Sequence, residues 1–238
     1  MQSIQTVSEN TIYVGASDRR LAKFENLFPI PRGVSYNAYV ILDEKTALLD
    51  TADASVGAQF LENVAAALDG RKLDYLIVDH MEPDHAAMIE AVLVRWPDLR
   101  LVVNAKTLPM LKMYFPTDSA AIDDALVVKE GDTLDLGKHK LTFVMAPMVH
   151  WPEVMMTFDT TTGTLFSADA FGTFGALEGA LFADEVDFAG KWLDDARRYY
   201  TNIVGKYGVQ VQAVLKKAAT LSVSYTHLRA HETAANLV

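Results

Sequence analysis

Side chains that could bind metal are concentrated in one short segment, His80-Met81-Glu82-Pro83-Asp84-His85. Imidazole suits iron, zinc or copper, and carboxylates add negative charge and harder oxygen ligands. Alternate side chains of an extended chain point the same way. His80, Glu82 and Asp84 would therefore point together, with His85 turned aside, an arrangement that suits two metal ions better than one. The alternative is a polar surface loop that holds two histidines by chance.

The residues around this segment indicate where it lies. The apolar run Leu76 to Val78 just before it predicts a short buried strand. Pro83 would stop any helix that ran through the segment, and the apolar stretch Ala86 to Val94 predicts a helix after it. The metal-binding side chains would then lie on a loop at the carboxyl end of a strand, where open α/β sheets commonly bind ligands.

Two other predicted strands also end near a side chain that could bind metal. His150 follows the strand-like segment Leu141 to Ala146, and Asp169 follows Thr164 to Ser167. Taken singly, they would be a hydrogen-bonded core histidine and a turn aspartate, but three such strand ends indicate one site. Two metal ions about 4 Å apart need a group that touches both, and a carboxylate such as Asp169 can bridge them. His139 stands between two lysines in a polar turn, and we expect it at the solvent-exposed surface.

Composition limits the function classes. The chain has 238 residues, a formal net charge of −10 and no cysteine. The negative charge argues against nucleic-acid binding, which needs a basic surface, and without thiolates the chain cannot hold an iron–sulfur cluster or a rubredoxin-type iron. No apolar run approaches the ~18 residues of a membrane span, and the first residues lack the pattern of a signal peptide. We therefore expect a cytoplasmic protein with no membrane partner.

The order of predicted elements indicates the fold class. Strands and helices alternate at first, a run of strands follows, and two helices come last, over Phe188 to Val204 and Val209 to Ala219. This order predicts a layered α/β sandwich rather than one doubly wound sheet.

With these residues in hand, the chain resembles the flavodiiron proteins (A-type flavoproteins), over roughly residues 4–222 and specifically in their metallo-β-lactamase-like domain. The segment from His80 to His85 is similar to the family motif HxExDH, and Ser35 to Tyr39 and Ser167 to Gly172 are similar to other family segments. His150 falls where the family has its next histidine ligand. The resemblance implies an αββα sandwich of the metallo-β-lactamase type, here without its last elements.

The resemblance also implies a diiron centre. Hydrolases of this fold usually carry HxHxDH and zinc, whereas Glu82 provides a harder ligand that favours iron. The implied ligands are His80, Glu82 and His150 for one iron, Asp84 and His85 for the other, and Asp169 as the bridge.

The implied activity is reduction of dioxygen to water, of nitric oxide to nitrous oxide, or of both, with electrons from FMN. A rubredoxin or a flavin reductase would be the redox partner, and a homodimer or homotetramer the assembly. One alternative is a dinuclear metal-dependent hydrolase of the same fold, in which a metal-bound hydroxide attacks an ester, thioester or lactam. Another is a non-catalytic metal-binding module.

The chain departs from the family pattern at its end. A flavodoxin-like FMN domain would need on the order of 100–150 further residues, so no flavin site is assigned. The last histidine ligand of the family, in a PxHG segment, is expected near position 230, where this chain has Ala230. Residues 223–238 look like a translated sequencing adaptor. We therefore expect a diiron domain over residues 1–222, a non-native tail over 223–238, and a second iron that lacks one ligand in this chain.

Overall fold

The computed structural model describes residues 3–116 and 119–227. Within that part of the chain, buried apolar runs alternating with turns produce short strands. The strands are β1 Gln5–Ser8, β2 Thr11–Tyr13, β3 Ala16–Asp18, β4 Lys23–Phe24, β5 Phe28–Pro29, β6 Val34–Tyr36, β7 Tyr39–Leu42, β8 Thr46–Leu49, β9 Tyr75–Ile77, β10 Arg100–Asn104, β11 Leu126–Val128, β12 Thr133–Asp135, β13 Lys140–Met145, β14 Met155–Asp159, β15 Thr164–Phe166 and β16 Tyr225–His227.

Two sheets organise these strands. The first has the order β1-β2-β7-β8-β9-β10-β11, and its last four strands, β8 to β11, are parallel. The second has the order β12-β13-β14-β15-β16, antiparallel from β12 to β15, with β16 parallel to β15. Two small hairpin-like sheets, β3 with β6 and β4 with β5, lie apart from them. The stretch from Ser35 to Leu42 is divided between β6 and β7.

Helices form the outer layers. They are α1 Gly57–Leu68, α2 Pro83–Ala86, α3 Ile89–Arg95, α4 Thr107–Tyr114, α5 Ser119–Asp123, α6 Phe188–Lys191, α7 Leu193–Tyr199 and α8 Gly208–Ala218. None of those described combines the length and apolar character needed to cross a bilayer.

The side-chain alternation of the strands explains the layering. One set, including Ile41 and Leu49 of the first sheet and Phe143 and Met155 of the second, forms an apolar cluster between the sheets. The residues that alternate with them face the helices. Burial of both faces of both sheets gives the αββα sandwich expected from the sequence.

Two predicted helices differ from the observed ones. The helix expected over 86–94 begins earlier, because Pro83 occupies the first position of α2, where its missing N–H costs nothing. It then restarts as α3. The helix expected over 188–204 is broken at Trp192, and Tyr200–Val204 forms a π-helical turn after α7.

His139 contradicts its predicted exposure. It is 1% exposed, and its Nδ1 lies 2.7 Å from Oδ2 of Asp159. Its backbone N–H donates to Oδ2 of Asp43 at 2.6 Å. The lysines on either side are exposed, whereas the His139 side chain is buried against Asp159, so the polar neighbours gave the wrong prediction.

The end of the chain lies partly outside the described residues. Tyr225–His227 forms β16, whereas Ala230, and with it the position expected for the last histidine ligand, is not among the residues described. The division at residue 222 and the non-native origin of 223–238 stay predictions.

Candidate metal centre

The candidate ligands lie at the carboxyl ends of three strands. His80 and Glu82 follow β9, and Asp84 and His85 are in the short helix α2 rather than on an open loop. His150 follows β13, and Asp169 follows β15. The fold therefore brings to one edge of the sandwich side chains that are up to 89 positions apart in the chain (169 − 80).

Four of these residues, which we call the donor cluster, have ligand atoms within 4.8 Å of one another: His80, Glu82, His150 and Asp169. Oε2 of Glu82 lies 3.0 Å from Nε2 of His150 and 3.3 Å from Nε2 of His80. Oδ2 of Asp169 lies 3.2 Å and 3.7 Å from the same two nitrogens. All four side chains are buried.

The other two candidates are His85, which contacts the second oxygen of Asp169, and Asp84, its neighbour in α2. Nε2 of His85 is 2.9 Å from Oδ1 of Asp169, the oxygen that does not face the donor cluster. Asp84 is buried in the same helical turn as His85 but is not one of the four residues whose atoms converge. Asp169 therefore connects the donor cluster to His85 through its two different oxygens.

Two further carboxylates orient the imidazoles. Oε1 of Glu153 lies 2.8 Å from Nδ1 of His80 and accepts a hydrogen bond from the backbone N–H of Met81. Oδ2 of Asp50 lies 2.8 Å from Nδ1 of His85. A carboxylate oxygen accepts from a ring N–H, so Nδ1 of each ring donates to its carboxylate and Nε2 is the nitrogen turned towards Asp169. Metal-binding histidines are usually held this way.

Sequence reasoning missed this pair of carboxylates. Neither Asp50 nor Glu153 was among the candidate site residues predicted from the sequence. The available signal was the position of each: Asp50 directly follows β8, and Glu153 lies in the loop between His150 and β14.

The residues present fit a metal ion. Nε2 of His80 is fully buried and takes no hydrogen bond from any described residue, although buried polar atoms are normally paired. Imidazole and carboxylate ligands together suit iron or zinc, and the two carboxylates, which are hard oxygen ligands, favour iron.

The same groups hold protons in the metal-free protein. Burial lowers the pKa of His150, but its hydrogen bonds to Asp169 and Glu82 outweigh burial and raise the pKa to about 10. The same causes act on His80 and His85. Burial lowers the pKa of each ring, but the neighbouring carboxylates raise it by more, so both pKa values end above the ordinary range. For Asp169, burial raises the pKa, but the His85 charge and the bond from His150 hold it well below its ordinary range.

Two aromatic side chains enclose the site. The ring of Trp151 stands edge-on to the ring of His80, and their centroids are 5.3 Å apart. Its centroid lies 6.1 Å from that of the His150 ring. Tyr199, at the end of α7, is 1% exposed and makes a side-chain hydrogen bond to Asp169. Burial, followed by the charges of Asp169 and Glu82, raises the pKa of Tyr199, so its hydroxyl keeps its proton and donates.

The backbone is left-handed at three non-glycine residues beside the site. They are Asp50 (φ 55°), Met148 (φ 66°) and Ala168 (φ 47°). Each such residue costs on the order of 1–2 kcal/mol, and such conformations persist where the surrounding structure over-determines them, often at functional sites. Met148 lies two positions before His150 in the chain, and Ala168 directly precedes Asp169.

Comparison with known proteins identifies the family. The sequence model described as "ODP family beta lactamase" matches residues 34–220. The chain belongs to the ODP family. This ODP-family domain is 37% identical over 200 residues to "Nitric oxide reductase" of Moorella thermoacetica, a match that covers 83% of the chain and 49% of that protein.

Solved structures agree with the fold. The domain resembles rubredoxin oxygen:oxidoreductase from Desulfovibrio gigas with a TM-score of 0.89 and 28% identity, over 98% of this chain and 58% of the other. It resembles the flavodiiron protein from Giardia intestinalis with a TM-score of 0.88 and 26% identity, over 96% of this chain and 55% of the other. The metallo-β-lactamase-like fold and the flavodiiron resemblance expected from the sequence are confirmed. The chain spans about half the length of these relatives.

Proposed function

We propose that the domain binds two iron ions and, as part of a flavodiiron protein, reduces nitric oxide to nitrous oxide, dioxygen to water, or both. The observation that carries the proposal is the position of Asp169, whose Oδ2 faces His80 and His150 while its Oδ1 faces His85. One carboxylate between two sets of ligands is what a dinuclear site requires. The names of the similar proteins, a nitric oxide reductase and an oxygen oxidoreductase, support a reductase and do not favour the hydrolase alternative.

The ligand sets that we propose divide at Asp169. One iron takes its ligands from the donor cluster, and the second lies on the side of His85 and Asp84. The assignment is His80, Glu82 and His150 for the first iron, Asp84 and His85 for the second, and Asp169 shared.

The chemistry divides between metal and protein. When bound, two ferrous ions supply two electrons and adjacent positions at which diatomic molecules can meet. The protein holds the imidazoles in one orientation through Glu153 and Asp50, keeps water out by burial, and offers the Tyr199 hydroxyl as a donor at Asp169. Further electrons would come from FMN, reduced by a rubredoxin or a flavin reductase, in a cytoplasmic homodimer or homotetramer.

Anaerobic loading with ferrous iron tests the proposal. The chain is loaded, its iron content and Mössbauer spectrum are recorded, and nitric oxide consumption is followed with an electrode while reduced FMN is supplied in solution. Asp169→Asn is compared with Asp98→Asn, a change at an exposed aspartate. We expect a spectrum of coupled irons in the parent chain and the Asp98 variant, loss of that coupling in the Asp169 variant, and nitric oxide consumption only in protein that holds both irons. Equal iron spectra in all three proteins would contradict a bridging role of Asp169, and zinc-dependent ester or thioester hydrolysis without nitric oxide consumption would favour a hydrolase.

A further inference from the structure

A pocket of about 390 Å³ opens between the loop that follows Asp169 and the helices α7 and α8. Its apolar lining includes Ala170, Phe171, Leu193, Ala196, Val204 and Val211. Its charged or polar groups come from Arg197, Thr201, Gln212 and the hydroxyls of Tyr199 and Tyr200. Ala170 is the neighbour of Asp169 in the chain, so the pocket begins next to the residue that connects the two ligand sets.

Tyr199 stands between this pocket and the donor cluster. It lines the pocket, and its side chain is hydrogen-bonded to Asp169. Gly172 allows this position: a Cβ on Gly172 would lie 2.6 Å from Cε1 and 2.7 Å from Cζ of Tyr199. The Phe174 ring packs edge-on against the other part of the Tyr199 ring, with centroids 5.2 Å apart. The ring of Tyr199 is therefore held between the pocket and Asp169, with Gly172 and Phe174 packed against it.

We propose that this pocket binds an apolar diatomic gas and is the route by which nitric oxide or dioxygen reaches the metal site past Tyr199. The inference rests on the proposed function, because only a reductase of this kind uses such a substrate. Neutral diatomic molecules offer no charge to recognise, and small apolar guests such as xenon enter apolar cavities readily. The volume lies in the range of small-molecule sites, and most of the lining is apolar.

Xenon gives a test that does not depend on metal or turnover. The chain is examined under xenon pressure by NMR or in crystals, as the parent, as Ala196→Phe, which fills the pocket, and as Ala213→Phe, the same change on the exposed face of α8. We expect xenon beside Ala196 in the parent and the Ala213 variant, and none there in the Ala196 variant. Absence of xenon from the pocket of the parent would overturn the proposal. If Ala196→Phe does not fold, Leu215→Trp fills the same pocket from α8.

Association of nitric oxide with the iron-loaded chain tests the route. Its rate constant is measured by stopped-flow absorbance in the same variants. We expect filling the pocket to slow association by about tenfold, and the surface variant to match the parent. If Ala196→Phe excludes xenon but leaves the rate constant of nitric oxide association unchanged, the pocket is not the route to the metal site. The xenon experiment needs no metal. A chain that binds xenon in the pocket but binds no iron would therefore contradict the proposed function and not the pocket.

Discussion

Oε1 of Glu153 lies 2.8 Å from Nδ1 of His80, and both side chains are completely buried. The backbone carbonyl of Glu153 in turn accepts a hydrogen bond from Asn104, and Oε1 accepts another from the N–H of Met81. Glu153 is therefore held at its backbone carbonyl and at Oε1, and the imidazole of His80 cannot rotate without losing a buried hydrogen bond. The His85–Asp50 pair repeats the arrangement on the other side of Asp169.

Replacing Glu153 by glutamine should weaken metal binding. The variant keeps the size of the side chain but removes the charge that fixes the His80 proton on Nδ1. Loss of such a partner typically lowers metal affinity by about ten- to a hundredfold. Affinity is measured by competition with a chromophoric chelator. Glu62→Gln, at an exposed site on α1, is the control, and equal affinities in the two variants would contradict an orienting role for Glu153.

Metal binding should release protons at neutral pH. His80, His85 and His150 have raised pKa values in the metal-free protein, that of His150 at about 10. A ligand must be deprotonated to bind, so metal displaces these protons, and affinity should rise with pH up to about 10, the pKa of His150. Calorimetry in two buffers of different ionisation enthalpy counts the protons. An affinity that does not change with pH would show that the histidines are already neutral.

A methyl group on Gly172 should destabilise the domain. In Gly172→Ala the new Cβ meets the ring of Tyr199, which is buried and hydrogen-bonded to Asp169. Overpacking of this kind costs about 1–3 kcal/mol, measured by urea unfolding. In Gly208→Ala the Cβ meets nothing within 4 Å, and we expect no loss of stability there. A Gly172 variant as stable as the Gly208 variant would mean that the Tyr199 ring moves freely.

Removing His139 should affect stability without affecting metal binding. His139 precedes β13 and its partner Asp159 ends β14, whereas His150 and Glu153 lie at the opposite end of this hairpin. His139→Ala leaves a buried carboxylate without this partner, at a cost of about 1–3 kcal/mol. His150→Ala should instead weaken metal binding, because it removes a proposed ligand. Weaker metal binding by the His139 variant, measured under conditions where it is folded, would contradict this separation.

Local pattern was enough to predict the part of the site that is local in sequence. An apolar run leading into His80 and Glu82 specifies a strand and the polar segment after it, because burial of a short strand depends on residues next to one another. The same reasoning anticipated that His150 and Asp169 end strands. Their roles as ligands, with those of Asp84 and His85, stay predictions until metal is measured.

Partners distant in the chain had to come from the tertiary structure. Glu153 is 73 positions from His80, and Asp50 is 35 positions from His85. In sequence, a carboxylate such as that of Asp50 is equally compatible with capping a helix and with accepting a hydrogen bond from a distant imidazole. His139 looked exposed because its neighbours are lysines, and Tyr199 looked like one more residue of a long helix. A buried polar group needs a partner from whatever packs against it, and only the packed chain determines which residue that is.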